Sequence, residues 1–236
     1  LSHAKTLRVG SSNNKTNKGS FGTILEEFYF NYKPNNSREP DFPRAGVELK
    51  STPLKKLAHG ELVPKERLVL NMINYRDIVE ETWETSSFAK KNLLLLLIFY
   101  LWQQNTSDLD YLIKLAGLWK FPEKDLEQMK QDWEAIREKV IKGKAHEISE
   151  GDTYYLGAAR KGHKEGPIKY CDDAPPAKQR AFSLKSNYVR FILAQMQARQ
   201  AKWEKETGPL FDSVDDLIES GGIENKVRER FSHFLG

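Results

Sequence analysis

One segment of the chain, Asp41-Phe-Pro-Arg-Ala-Gly-Val-Glu-Leu-Lys50, brings two carboxylates and an ammonium group close together in sequence. Val47 and Leu49 alternate with Glu48 and Lys50, which is the periodicity of a β-strand. Residues two apart on a strand point to the same face, so Glu48 and Lys50 are expected side by side, roughly 6.5 Å apart. Val47 and Leu49 then face the other way, into a core.

Asp41 lies upstream of this strand, beyond Pro43 and Gly46. Proline and glycine can bend the chain and return the second carboxylate to the same edge. Two carboxylates with a lysine beside them suit a hard divalent cation that polarises a phosphoryl group, with the lysine holding a phosphate oxygen or an attacking water. The alternative is a solvated strand face, the usual role of a Glu-x-Lys pair.

This segment and the sequence that follows it, including Thr52-Pro53 and Lys55-Lys56, resemble the active-site segment of one nuclease family. It is similar to the MutH and Sau-type restriction endonucleases, a branch of the PD-(D/E)xK nucleases. The resemblance implies that Asp41 and Glu48 bind Mg²⁺ and that Lys50 stabilises or activates the attacking water. The main-chain carbonyl of Leu49 is implied as a further metal ligand.

Two other stretches carry the same resemblance. Gly22-x-x-Leu25-Glu26 lies on a predicted helix and matches an extra acidic residue of the family, which makes Glu26 rather than Glu27 the expected metal neighbour. Trp83-Glu-Thr-Ser precedes Lys91, which matches a second functional lysine near the scissile phosphate. From the residues alone, Glu26 fits a solvated helix face and Lys91 fits a basic cap before a buried strand.

The predicted DNA-reading residues lie later in the chain. Arg160 and Lys161 lie in a long basic connection that is expected over Ala158 to Lys178, and such loops are commonly functional. Their side chains suit base edges and phosphates, or a solvated loop. Ser183 and Lys185 lie in a Phe-x-Leu-Lys segment that also resembles the family. Strand-nicking members have a tyrosine at the position of Ser183, linked to sensing adenine methylation, so the serine favours restriction.

Composition limits the remaining classes. The chain has 236 residues with 37 Lys and Arg against 33 Asp and Glu, a formal charge of +4, which permits a nucleic-acid partner without requiring one. The single cysteine, Cys171, excludes an intramolecular disulfide and fits a reducing cytoplasm. The apolar run from Leu93 to Leu101 is too short to span a membrane and predicts a central buried strand. We therefore expect no membrane association.

The hydrophobic periodicity predicts an alternation of helices and strands. Helices are expected over 20–32, within 105–121, and over 123–142 and 187–205, and strands over 46–52, 67–75, 93–101, within 145–159 and over 180–186. Residues 1–20 are expected to form a loose arm. Two short helices are expected in the tail, at 213–220 and 223–235.

The resemblance implies an α/β, restriction-endonuclease-like (MutH-like) mixed sheet flanked by helices. It implies a catalytic domain over 1–206 and a helical connector over 207–236 that leads to a regulatory DNA-binding domain. The expected activity is Mg²⁺-dependent cleavage of double-stranded DNA at GATC, by a monomer or a DNA-induced dimer. The alternatives are a methyl-directed mismatch-repair nicking enzyme and a non-catalytic DNA-binding module, which would lack the acidic residues.

Overall fold

The computed structural model describes residues 20–33, 37–161 and 166–207. Compactness divides the chain into two units, Leu1–Leu193 and Ala194–Gly236. The predicted arm over 1–19, His163 of the basic connection and the two predicted tail helices lie outside the described residues. No helix among the residues described is long and apolar enough to cross a lipid bilayer.

Seven strands and four α-helices make up the described part of the chain. The strands are β1 (Glu48–Lys56), β2 (Leu62–Pro64), β3 (Leu68–Met72), β4 (Leu94–Leu101), β5 (Leu112–Lys120), β6 (Leu156–Arg160) and β7 (Arg180–Leu184). The helices are α1 (Ser20–Ile24), α2 (Ser87–Asn92), α3 (Glu123–Ile141) and α4 (Ser186–Thr207). A π-helical segment over Leu25–Tyr29 continues α1.

The strands form two sheets. The first has the order β2-β1-β4-β5, in which β1 and β4 run parallel and the other pairs are antiparallel. The second has the order β3-β7-β6 and is antiparallel throughout. The expected mixed sheet flanked by helices is present. Strand β3 is not part of it, because β3 pairs with β7, far away in sequence. Default pairing of neighbouring strands therefore holds for β1 and β2 and fails for β3.

Strand β4 lies between β1 and β5, and its inner residues Leu95, Leu97 and Phe99 are fully buried. The predicted central strand is therefore confirmed. Helix α3 is confirmed as well: Pro122 stands at its N-cap, and Gly143 adopts a φ of 71° just after its end. This left-handed conformation is the one that favours glycine after a helix. The apolar stripe of α3 is buried as expected, at Met129, Trp133, Ile136 and Val140.

The helix predicted within 105–121 is wrong. The segment forms a short 3₁₀ turn, Asp108–Asp110, followed by strand β5. Leu115 and Trp119, its two buried residues, are four apart, a spacing that fits one face of a helix and one face of a strand. Pairing with β4 along its whole length decides for the strand. The helix-like positions Leu112 and Ile113 are half-exposed.

The strands predicted within 145–159 are only partly correct. His146 lies in a 3₁₀ turn over Ala145–Glu147, and a second 3₁₀ turn spans Glu150–Asp152. Strand β6 begins only at Leu156. Ile148 is buried between the two turns, so its apolar character reflects packing rather than strand periodicity.

Candidate active site

A tight turn connects the two predicted metal-binding carboxylates. Phe42 and Val47 form an antiparallel bridge, with the Phe42 N–H donating to the Val47 carbonyl at 2.9 Å. Gly46 closes the turn with a φ of 65°, a left-handed conformation that most side chains disfavour. The bend inferred from proline and glycine is therefore present. It places Asp41 directly beside the start of β1.

Asp41 and Glu48 are held by reciprocal hydrogen bonds across this turn. The Asp41 N–H donates to Glu48 Oε2 at 3.1 Å, and the Leu49 N–H donates to Asp41 Oδ2 at 3.0 Å. Backbone donors bind carboxylate oxygens strongly and restrict their rotamers. The two carboxylates are consequently fixed before any ligand arrives.

Glu48 is only 1% exposed although strand alternation placed it on an open face. Lys50, two residues further on β1, donates to Glu48 Oε1, so the expected pairing of these side chains is present. Lys91 reaches the same oxygen from α2, with its Nζ 3.6 Å away. Burial, opposed by both lysines, leaves the pKa of Glu48 above its ordinary value.

Lys91 owes its position to the short helix α2. Ser86 caps this helix by accepting a hydrogen bond from the Ala89 N–H at 3.0 Å. Lys91 Nζ also donates to the Ser37 carbonyl at 3.0 Å, whereas the neighbouring Lys90 is exposed. Only one lysine of the pair therefore points at the carboxylates.

Glu26 arrives on the π-helical segment. Leu25 packs in one cluster with Leu49 of β1, and a Cβ on Gly22 would lie 3.3 Å from Ser51 Oγ, so the helix approaches the strand closely. Glu26 is half-buried, and burial together with the Asp41 charge raises its pKa. Wide π-helical turns are frequent at functional sites because they redirect a side chain.

These side chains line one open cavity of about 460 Å³. Sequence reasoning named five of its residues and missed the polar side chains that β3, the loop after it and the first residue of α2 contribute. The missed residues include Asn71, Asn74, Asp77, Glu81 and Ser87. Apart from their polarity, no signal in one sequence marks them, because β3 joins the site only through the fold.

The donor set fits a hard divalent cation. Carboxylates and a main-chain carbonyl are the oxygen ligands that Mg²⁺ takes in proteins, usually with several waters. Burial and the charge of Asp41, partly opposed by Lys50, raise the pKa of Glu26. Among the described residues, however, no group of three or more acidic, histidine or cysteine side chains is arranged closely enough to hold a metal alone. Asp41 and Glu48 are thus the central pair, and Glu26 is an outlying carboxylate.

The residues predicted to read DNA have mixed placements. Arg160 is exposed at the end of β6, and Lys161 is exposed directly after it. The Lys161 N–H donates to the Gln179 carbonyl at 2.8 Å, so its backbone extends the pairing of β6 with β7. Both side chains are accessible to a ligand, as that prediction requires.

Ser183 and Lys185 are engaged inside the protein. Ser183 is fully buried in β7, and its Oγ donates to the Gly157 carbonyl at 3.4 Å. Its hydroxyl cannot reach a bound duplex in this conformation, because it lies within the sheet. Lys185 Nζ donates to the carbonyls of Glu150 and Thr153, where it ties a loop to the end of β7.

Comparison with known proteins follows this geometry. Residues 30–132 match the family model described as DNA mismatch repair enzyme MutH. That range contains Asp41, Glu48, Lys50 and Lys91. Residues 30–132 therefore resemble a MutH-family domain, and the mixed sheet flanked by helices agrees with the restriction-endonuclease-like fold that this resemblance implies.

Individual relatives cover more of the chain than the MutH model does. The type II restriction enzyme Sau3AI from Staphylococcus aureus is 40% identical over 231 residues, 96% of this chain. The chain spans only 46% of the length of that enzyme. The DNA mismatch repair protein MutH of Shewanella woodyi is 28% identical over 79% of this chain and 80% of its own length. MutH of Citrobacter koseri is 25% identical over 77% and 78%.

Proposed function

We propose that this chain is the catalytic part of a Mg²⁺-dependent, sequence-specific endonuclease that cleaves double-stranded DNA. The observation that carries the proposal is the meeting of Asp41, Glu48, Lys50 and Lys91 on the wall of one cavity. Its support is the restriction enzyme Sau3AI, which resembles nearly the whole chain. In this proposal residues 1–206 form the catalytic domain.

Asp41, Glu48 and the Leu49 carbonyl are the proposed metal ligands, with Glu26 as the outer carboxylate. When bound, the cation supplies Lewis-acid polarisation of the phosphoryl group and neutralises developing charge. The hydrogen bonds to Asp41 and Glu48 hold these ligands in place without the cation. Preorganisation of this kind reduces the reorganisation that the reaction needs.

The two lysines act on different oxygens of the reacting group. Lys50, held by Glu48, orients the attacking water and stabilises the negative charge that develops on its oxygen as it attacks phosphorus. Lys91 approaches from the opposite side, on α2, and neutralises a non-bridging phosphate oxygen. Fixed positive charge at a phosphoryl group that gains negative charge lowers the barrier most in a site that excludes water.

The proposed recognition sequence is GATC, with cleavage of both strands as in type II restriction. Arg160 and Lys161 are the proposed base-reading residues, and Lys185 would contact the DNA backbone only after it releases the carbonyls of Glu150 and Thr153. A regulatory DNA-binding domain beyond this chain, a monomer or DNA-induced dimer as the acting form, and a cytoplasmic location belong to the same proposal. The chain covers less than half of Sau3AI, which leaves room for such a domain.

A second candidate is a strand-nicking enzyme of mismatch repair. It is favoured by one observation: the chain covers about four fifths of the MutH proteins it resembles. Against it stands Ser183, where the nicking enzymes have a tyrosine. A non-catalytic DNA-binding module is disfavoured, because Asp41, Glu48 and Lys50 are all present.

Three otherwise identical duplexes, each with one GATC, distinguish these candidates. The site is unmethylated, hemimethylated or fully adenine-methylated, and the chain is incubated with each in Mg²⁺ beside an Asp41→Ala control. Double-strand cleavage of all three, absent in the control, supports restriction. Nicking confined to the unmethylated strand supports mismatch repair. It would overturn the argument that serine at position 183 favours restriction. Binding without cleavage would mean that GATC is the wrong site or that a longer protein is required. Cleavage of random-sequence duplexes by a longer protein would separate these two explanations.

A further inference from the structure

A second cavity, of about 230 Å³, has a strongly basic wall. We call it the basic pocket; the described residues that line it are His146, Arg160, Pro167, Pro176, Lys178 and Arg180. Three of these six always carry a positive charge, and none is acidic. Nothing in the proposed chemistry uses the pocket as a site, although Arg160 was expected to read bases.

Arg180 is the unusual member, because it is a buried arginine that forms no ion pair with a carboxylate of the described residues. It is only 5% exposed, and its guanidinium donates to the carbonyls of Ala158 and Ile148. Its Nε has no hydrogen-bond partner among the described residues. Carbonyl groups satisfy N–H donors but do not cancel a charge, and an uncompensated buried charge is costly.

Among the described residues, the two carboxylates whose charges act on Arg180 are already paired with other cations. Glu150 forms an ion pair with Arg67, and Asp152 lies 2.7 Å from Lys139 Nζ. Glu147 lies 3.6 Å from His146 at the rim. The basic pocket therefore keeps an excess of positive charge. A planar guanidinium with free donor capacity fits an oxyanion such as phosphate.

The basic pocket and one wall of the active-site cavity share the sheet β3-β7-β6, whereas Glu48 and Lys50 lie on β1 of the other sheet. Met72 and Asn74, at the end of β3, line that cavity, and the Ile73 N–H donates to the Arg180 carbonyl at 2.9 Å. Arg160 pairs with Arg180 on the far side of β7. With strands about 5 Å apart, the pocket begins one to two strand spacings, about 5–10 Å, from the active-site wall. A duplex seated on the active site would pass within reach.

We propose that the basic pocket binds one backbone phosphate of the DNA duplex, beside the cleaved one. This inference rests on the proposed function, since it assumes that the ligand is duplex DNA. Contacts to phosphates fix the register of a protein on the duplex without reading sequence. Lys178 and Arg180 of the pocket thus position the duplex, while the exposed Arg160 and Lys161 keep their proposed role in base recognition.

Lys178 provides the test, because its side chain is exposed while its main chain belongs to a bonded loop. Lys178→Gln is compared with Lys120→Gln, an exposed lysine on β5 in the other sheet. Binding is measured in Ca²⁺, without cleavage, to duplexes with and without GATC at several salt concentrations. We expect Lys178→Gln to bind both about three- to tenfold more weakly and to lower the salt slope by about one phosphate. Lys120→Gln should match the wild type.

Neutral methylphosphonates, placed one at a time in the duplex, locate the contact. One position should weaken the wild type and have no further effect on Lys178→Gln. Equal affinities and equal salt slopes for Lys178→Gln and the wild type would overturn the proposal. If the wild type binds no duplex at all, the proposed function fails, and titration with inorganic phosphate decides the pocket. If the wild type binds inorganic phosphate and Lys178→Gln does not, the basic pocket is a site for free phosphate. If the wild type binds no inorganic phosphate, the pocket is not a phosphate site.

Discussion

Lys91 and Glu48 approach each other from different elements, with Lys91 Nζ 3.6 Å from the Glu48 Oε1 that Lys50 also contacts. One carboxylate oxygen therefore holds two ammonium groups, one from β1 and one from α2. A metal or a phosphate entering the cavity would compete for these partners. Binding of either ligand would therefore weaken the contacts of Lys50 and Lys91 with Glu48.

Lys91→Gln should reduce the rate of cleavage far more than it reduces affinity for DNA. Loss of one preorganised positive group at a reacting centre costs roughly a hundredfold or more in rate. Single-turnover cleavage of a GATC duplex in Mg²⁺ measures the chemical step. Lys90→Gln is the matched control, because Lys90 is adjacent and exposed and has the same charge. An equal loss of cleavage rate in both variants would mean that the overall positive charge matters and not the position of Lys91.

Glu26→Gln should stabilise the metal-free protein at neutral pH. Burial and the Asp41 charge raise the pKa of Glu26 above 4.5 in the folded state. Its contribution to stability is fully present below the unfolded pKa and is lost as pH rises through the folded pKa. At pH 7 the ionised Glu26 therefore costs stability, and glutamine removes that cost. Urea unfolding in EDTA between pH 5 and pH 8 tests the sign.

The exposed Glu27, next to Glu26, provides the control for this measurement. Glu27→Gln should leave the free energy of unfolding within about 0.5 kcal/mol of wild type at every pH. Added Mg²⁺ should stabilise the wild type more than Glu26→Gln, because binding to the folded state alone adds stability. A Glu26→Gln protein less stable than wild type in EDTA at pH 7 would contradict the assignment of Glu26 as an uncompensated carboxylate.

Gly46 should tolerate asparagine and reject valine. Its φ of 65° is accessible to glycine and, at low cost, to asparagine, while a Cβ there would meet no atom within 4 Å. The cost of Gly46→Val is therefore backbone strain alone, about 1–2 kcal/mol. Because the turn joins Asp41 to Glu48, Gly46→Val should also weaken Mg²⁺ binding by calorimetry. Gly46→Asn should retain it; equal loss in both variants would exclude the backbone explanation.

The central part of the candidate site was predictable because it is local in sequence. Asp41, Glu48 and Lys50 lie within ten residues, and strand periodicity with a glycine-containing bend was enough to bring them together. The burial of Glu48 was not predictable, since it depends on Lys91 and the cavity wall from other elements. The same holds for Asn71, which reaches the cavity on a strand of the second sheet.

Hydrophobic periodicity predicted a helix correctly where only the helical period fitted the sequence. It failed where both the helical and the strand period fitted. Helix α3 has five buried residues on one stripe and clear ends, so its bounds were predicted within a residue or two. Strand β5 has two buried residues four apart, and only its pairing with β4 excludes a helix. The methylation argument from Ser183 depended on a side chain that the fold buries, and one sequence does not reveal that burial.

Asp132 is a buried carboxylate outside the candidate active site, and its hydrogen bonds indicate a structural role. It is 3% exposed on α3 and accepts hydrogen bonds from the N–H groups of three consecutive residues, Tyr154, Tyr155 and Leu156, at 2.6–2.8 Å. These bonds anchor the start of β6, which ends at Arg160. The carboxylate thus acts as a clamp between helix and strand.

Asp132→Ala should therefore cost about 3 kcal/mol or more in the free energy of unfolding, because it leaves three amide donors without their acceptor. Glu134→Ala, on an exposed position of the same helix, should change it by less than about 0.5 kcal/mol. Urea unfolding gives both values. Cleavage by Asp132→Ala, corrected for the folded fraction, should stay within a few-fold of wild type, whereas a loss like that of Asp41→Ala would assign Asp132 a role in the chemistry. The distinction follows from its partners: Asp132 accepts from three backbone N–H groups and from the Gln128 side chain, while Asp41 and Glu48 line an open cavity.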